Sequence, residues 1–160
     1  MFFDLRHVVT DEEIDAQQRV HNLRYLQWTL WAARDHAASM GFDHAEKLAE
    51  NLGWVVRDHS ISYHAATNLG DRVVVRTWIH ERRQYVVTRK FVVCRPSDRT
   101  VLARGQTRWV YVDFRQQQAI TIPDEIQTMV EPSDTPPLPW ESTNSKPHID
   151  SSADEPDAEL

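Results

Sequence analysis

The residues best suited to chemistry lie in one stretch near the amino terminus: Glu13-Ile-Asp15-Ala-Gln-Gln-Arg-Val-His21-Asn22-Leu-Arg-Tyr25-Leu-Gln-Trp28. Asp15 stands in a polar loop shortly before Asn22, a residue type that favours the cap position of a helix. A carboxylate beside the positive end of a helix suits reaction at a carbonyl. The carboxylate activates water or attacks directly, and the unpaired N–H groups of the first turn hold the developing negative charge. The competing reading makes Asp15 a turn residue bonded to its own loop amides. His21 reads equally as a group that polarises a carbonyl or as a cover over the helix entrance. Asn22 reads as the N-cap, with its backbone amide free to serve the reaction. Tyr25, one turn into the helix, reads as a core residue or as a contact to substrate.

These residues need a helix behind them and a sheet beneath it. From Leu23 to Met40 the apolar positions Leu23, Leu26, Leu30, Ala33, Ala37 and Met40 recur at steps of three and four, one helical stripe. Trp28 and Trp31 flank it, and Gly41 stops it. About 18 residues give a helix roughly 27 Å long. Asp43 to Asn51 reads as a second, short helix capped by Asp43, with Ala45, Leu48 and Leu52 inward and Gly53 as the stop. Strand-like runs occupy Phe2–Thr10, Trp54–Tyr63, Arg72–His80, Tyr85–Arg95 and Val101–Phe114. The alternation of Val73, Val75, Thr77 and Ile79 marks a half-buried antiparallel strand. Short turns between the last three runs favour a meander. The expected architecture is α+β, one long helix wrapped by a curved antiparallel sheet. A single helix leaves much of such a sheet bare, so a homodimer is expected.

The net charge of −6 is not evenly spread. Glu131 to Leu160 hold eight acids and one lysine, a net of −7, which leaves +1 on Met1 to Val130. A near-neutral body argues against nucleic acid as a partner. The arginines and lysine Arg82, Arg83, Arg89, Lys90, Arg104 and Arg108 read mostly as a solvated sheet face, with room among them for ligands to the phosphates of a nucleotide-bearing cofactor. Residues 131–160, rich in Pro, Ser, Thr and Asp, read as a disordered acidic tail after a domain at residues 1–130, with Leu138 and Trp140 as its docking points. No apolar run approaches a membrane span, and the start lacks a secretory signal, so a cytoplasmic location is expected. Cys94 is the single cysteine and reads as inert core. The histidines lack zinc-ligand spacing, so no metal is expected, and no phosphate loop or Gly-x-Ser-x-Gly elbow is present.

Five ordered segments carry a family resemblance. They are Asp15 with Val20-His21-Asn22-Leu23-Arg24-Tyr25-Leu26-Gln27-Trp28 and Ala33-Arg34; Gly53-Trp-Val55-Val56; Ile61-Ser-Tyr63; Gly70-Asp71-Arg-Val73; and Ile122-Pro123-Asp124. Together, over roughly Phe3 to Ile126, they resemble the 4-hydroxybenzoyl-CoA thioesterase-like family. The resemblance implies a hotdog fold with a five-stranded sheet, and dimers or tetramers with sites at the subunit boundary. It also implies hydrolysis of an acyl-CoA, or acyl-carrier-protein, thioester without a cofactor. It places the catalytic carboxylate on Asp15 and the oxyanion amide at about Asn22. The run Gln18-Arg19-Val20-His21-Asn22 departs from the Gly-His-Val-Asn-Asn often found in that family, which affects the loop and the pocket it lines. Two other readings are a non-catalytic acyl-thioester-binding scaffold, and an enoyl-thioester hydratase with Asp15 and His21 as its dyad.

Overall fold

The structure is a computed structural model that describes residues 1–141. In chain order it holds β1 (Phe2–Val8), α1 (Asn22–Ser39), α2 (His44–Ala49), β2 (Leu52–Tyr63), β3 (Arg72–Arg82), β4 (Val86–Arg95), β5 (Thr100–Asp113), β6 (Gln118–Ala119) and α3 (Asp124–Gln127). The sheet order is β1-β3-β4-β5-β2, antiparallel throughout, and the two-residue β6 adds to β5. The last three long strands form the expected meander. β1 and β2 take opposite edges because α1, which joins them along with α2, lies across the sheet. No helix among the described residues is long and apolar enough to cross a membrane.

Helix α1 contains neither Gly nor Pro. Its amino terminus is capped by His21, whose Nδ1 accepts from the Leu23 N–H at 3.1 Å. Asn22 is therefore the first helical residue and not the cap expected from its type. The helix ends as expected at Gly41, which adopts φ +95°. The N–H groups of Gly41 and Phe42 return to the carbonyls of Ala38 and Ala37, which satisfies the last turn.

The face that α1 buries differs from the predicted stripe. Tyr25, Trp28, Thr29, Ala32, Ala33 and His36 are buried. Leu23 is 65% exposed, and Leu26, Leu30 and Ala37 are only half-buried. The aromatic rings decide the rotation of the helix, because each buries more area than a leucine. The aliphatic stripe is turned to the side.

Two apolar clusters fill the space between α1 and the sheet. One gathers Tyr25, Trp28, Val75, Phe91 and Leu102; the other gathers Phe42, Ile79, Val87, Tyr111 and Ile126. Polar residues sit in the same layer: Arg89 Nη1 lies 2.8 Å from His36 Nδ1 and donates to Thr77 Oγ1 at 3.2 Å. Arg89 shares a strand face with Val87 and Phe91. It is buried rather than part of a solvated face. Burial, and then the Arg89 charge, push the His36 imidazole down to about 4. His36 is thus neutral in the fold and takes up a proton on unfolding at any pH between there and 6.5. The unfolded chain binds more protons in that window, so stability rises with pH. Urea unfolding from about pH 7 to about pH 4 should show a loss on the order of 3 kcal/mol from this residue. His36→Gln should flatten the profile, and a flat wild-type profile would contradict the assignment.

Asp43 caps α2 as expected, accepting from the Glu46 N–H at 3.0 Å. The inward face does not form: no residue of α2 is buried, and Leu48 is 63% exposed. Six residues are too short a helix to span the core edge and present a stripe to it. The turn after α2 is made by Asn51 at φ +61°, while Gly53 lies inside β2 against the Phe114 ring.

On the outer face of the sheet, Leu138 and Trp140 pack against Trp78, Val92 and Cys94. Arg76 Nη1 donates to the Pro137 carbonyl at 2.7 Å, and the Ser133 N–H donates to the Ile79 carbonyl at 2.9 Å. The packed body therefore continues past Val130 to residue 141. The rest of the expected tail lies outside the described residues. Burial pushes the Cys94 thiol up to about 11, which keeps it protonated and unreactive.

Candidate active site

Asp15 sits at the base of a small closed loop. Ile14 and Val20 form an isolated antiparallel bridge, and the Asp15 N–H donates to the Arg19 carbonyl at 2.8 Å. Gln18 turns the chain with φ +62°. This is the position where the resembling family often has glycine, so the departure keeps the turn and carries its strain in a side-chain-bearing residue, about 1–2 kcal/mol. Asp15 Oδ1 accepts from the Gln17 N–H at 2.8 Å, with the Arg19 N–H further off at 3.4 Å. Oδ2 has no hydrogen-bond partner among the described residues. One carboxylate oxygen thus holds the turn, as the bland reading required, and the other is free.

Three contacts tie the loop to the body. The Val20 N–H donates to the Thr67 carbonyl, and the His21 N–H to the Glu13 carbonyl, both at 3.0 Å. The third runs through the Glu13 side chain, which lies buried beneath the loop at 4% exposure. Its Oε2 accepts from Trp28 Nε1 at 2.6 Å, and its Oε1 accepts from His7 Nε2 at 2.6 Å and from the Thr10 N–H at 3.0 Å. Burial pushes the Glu13 carboxyl up. The hydrogen bonds from Thr10, His7 and Trp28 outweigh it and hold the group below the usual carboxylate range. Sequence reading missed both Glu13 and His7. A signal existed, because Thr10-x-x-Glu13 is the capping-box pattern and forms one here.

The donors at the helix start are partly spent. The Leu23 N–H goes to His21 Nδ1 and the Arg24 N–H to the His21 carbonyl. The Asn22 N–H has no partner among the described residues. Asp15 stands between two clefts. It shares one with Asn22, Tyr25, Tyr63 and Thr67, and the other with His21, Leu23, Leu26 and Trp31. The expected residues therefore gather around Asp15 but not in a single cavity. Tyr25 is a wall: it is 3% exposed, its OH lies 2.6 Å from Thr67 Oγ1, and its ring meets Tyr63 edge-on. Asp15, with a free carboxylate oxygen, and Asn22, with a free helix N–H, line one cleft, and groups of these two kinds can activate a nucleophile and hold an oxyanion.

A family model described as "Acyl-ACP thioesterase N-terminal domain" matches residues 2–130. The chain is 25% identical over 107 residues to a chloroplastic palmitoyl-acyl carrier protein thioesterase of Cuphea hookeriana, across 66% of this chain and 26% of that protein. It spans about a quarter of the length of the curated relatives it matches. Among solved structures it resembles Slr0204, a 1,4-dihydroxy-2-naphthoyl-CoA thioesterase from Synechocystis, with TM-score 0.77, 19% identity, and 81% and 96% of the two chains covered. It also resembles the 12:0-ACP thioesterase from Umbellularia californica, with TM-score 0.71, 24% identity, and 81% and 49% covered. These likenesses show the hotdog fold. The resemblance drawn from sequence named a CoA-thioester family, whereas the matching family is described by acyl-ACP.

Proposed function

Because the chain belongs to the acyl-ACP thioesterase N-terminal domain family, we propose that it hydrolyses an acyl thioester to a carboxylic acid and a free thiol at the cleft shared by Asp15 and Asn22. The observation that carries this reading is that Asp15, whose Oδ2 has no partner among the described residues, and Asn22, whose N–H has none among them, line one cleft at the start of α1.

The thioester carbonyl oxygen takes the Asn22 N–H, and the helix terminus favours the charge that builds on it. Asp15 acts by one of two routes. As general base it takes a proton from water while the water oxygen adds to the carbonyl carbon, and the tetrahedral intermediate then expels thiolate. As nucleophile it forms a mixed anhydride with loss of thiolate, and water cleaves the anhydride to two carboxylates. His21 spends Nδ1 on the helix cap, which leaves its other ring nitrogen to face substrate in the second cleft. Tyr25 and Tyr63 shape the wall of the first.

The thiol carrier is coenzyme A or the pantetheine arm of an acyl carrier protein, which present the same thioester. Incubating the full chain with matched acyl groups on both carriers, with free thiol as the readout, tests the proposal. Thiol release from at least one carrier is expected. A folded protein that releases none from either, across short, long and aromatic acyl groups, would overturn it. The working unit is a homodimer or homotetramer built on the open edge of β2, where Val56 and Tyr63 are exposed.

A further inference from the structure

We propose that the cavity between α1 and the sheet, bordered by Arg89, is a carboxylate subsite that receives the anionic end of an apolar-chain carboxylate. Arg89 is 6% exposed, yet no carboxylate among the described residues pairs with it. Its two partners, His36 Nδ1 and Thr77 Oγ1, are neutral. Arg76 makes the contrast. It is nearly as buried, at 7%, and it holds Asp4 by two parallel bonds of 2.8 and 2.9 Å. Arg34, Arg82, Arg83, Arg95 and Arg108 also have acidic partners. A buried charge left without a counter-charge is costly and calls for a ligand.

The cavity suits that ligand in size and lining. It offers about 80 Å³ in a half-open pocket between Leu30, Ala33, Trp54, Val87, Trp109 and Arg89. Scaled from the roughly 150 Å³ that holds benzene, this is room for about three heavy atoms, the size of one carboxyl group. Its wall carries the basic side chains Arg34, His44 and Arg89 and no acid. The buried Trp109 Nε1 also lacks a hydrogen-bond partner. Donors are therefore in surplus there.

An apolar flank of α1 lies between it and the cleft of Asp15. Leu30 lines both this cavity and the cleft of Asp15 and His21. The sideways stripe of Leu23, Leu26 and Leu30 runs between them, and Leu23 to Ala33 spans about 15 Å along the helix. The carboxylate is then the far end of a substrate, a monothioester of a long dicarboxylic acid, or a free fatty acid acting as effector. The substrate arm rests on the thioesterase reading; binding of the carboxylate does not.

Octanoate and octanol should be titrated into the full chain, with tryptophan fluorescence as the readout, since Trp54 and Trp109 border the cavity. Wild type should bind octanoate at least about tenfold tighter than octanol. Arg89→Met should lose the preference, while Asp15→Asn should keep it even if no thioester is ever found to be hydrolysed. Equal binding of the two compounds by wild type would overturn the proposal, and that comparison needs no variant to fold. Two further arms separate the sources. A dicarboxylic monothioester whose kcat/KM falls selectively in Arg89→Met marks the substrate. Octanoate inhibition of a plain acyl thioester in wild type but not in Arg89→Met marks the effector.

Discussion

Glu13→Ala is expected to lower the unfolding free energy by about 3–5 kcal/mol, the range for breaking a buried charged network from one side. The carboxylate is the common acceptor for Trp28 Nε1, His7 Nε2 and the Thr10 N–H, which come from α1, β1 and the loop between them. Alanine leaves Trp28 Nε1 buried and unpaired, with its full desolvation penalty, and strips the part-buried His7 and Thr10 donors of their acceptor. The effect reaches the site because the Glu13 carbonyl also anchors the His21 N–H, and His21 caps α1. Urea unfolding reads the loss directly. Asp35→Ala is the control. Its exposed pair with Arg34 should contribute no more than about 0.5 kcal/mol. A Glu13→Ala loss as small as the control's would mean that the three bonds do not organise the loop.

The pH response has the same sign at this residue. A carboxyl held below its usual range stabilises the fold above that range, and the contribution disappears as pH falls through the folded value. Glu13 therefore adds to the His36 loss at the acid end of the profile.

The strands, the long helix and its Gly41 stop were legible because period and punctuation act locally. The alternation of Val73, Val75, Thr77 and Ile79 marks a strand, and β3 is one, but it is buried on both faces from Val73 to Ile79 rather than half-buried, because Leu138 and Trp140 cover the outer face at Trp78. What failed depended on competition between neighbours. Counting Leu23, Leu26 and Leu30 as the core stripe gave a leucine the weight of a tryptophan, and Tyr25 and Trp28 took the sheet face instead. Asn22 is the better cap by type, but His21 reaches the Leu23 N–H first and moves the boundary by one residue. Arg89 looked like its exposed neighbours because a strand with charged residues reads as solvated. Only its alternation with Val87 and Phe91 placed it inward. For the site, Asp15 and the helix start were visible as chemistry in sequence. Their division between two clefts was not, because it depends on Tyr63 and Thr67, which arrive from the distant end of β2 and the segment after it.

Asp15→Asn carries the largest expected effect on activity. The amide keeps the size of the side chain and an oxygen to accept the Gln17 N–H, so the loop and the fold should persist. It has no charge with which to take a proton from water or to form an anhydride. General-base catalysis contributes typically about 10²–10⁴-fold, and a nucleophilic role would place the loss at the upper end or beyond. The oxyanion donor is a backbone amide at Asn22 and is unchanged by the substitution. Substrate affinity should therefore hold while kcat falls. The decisive measurement is thiol release from the best acyl thioester by wild type and Asp15→Asn side by side, at matched unfolding midpoints. A fall of at least about a hundredfold in kcat is the predicted result. A variant within tenfold of wild type would contradict the central role given to Asp15.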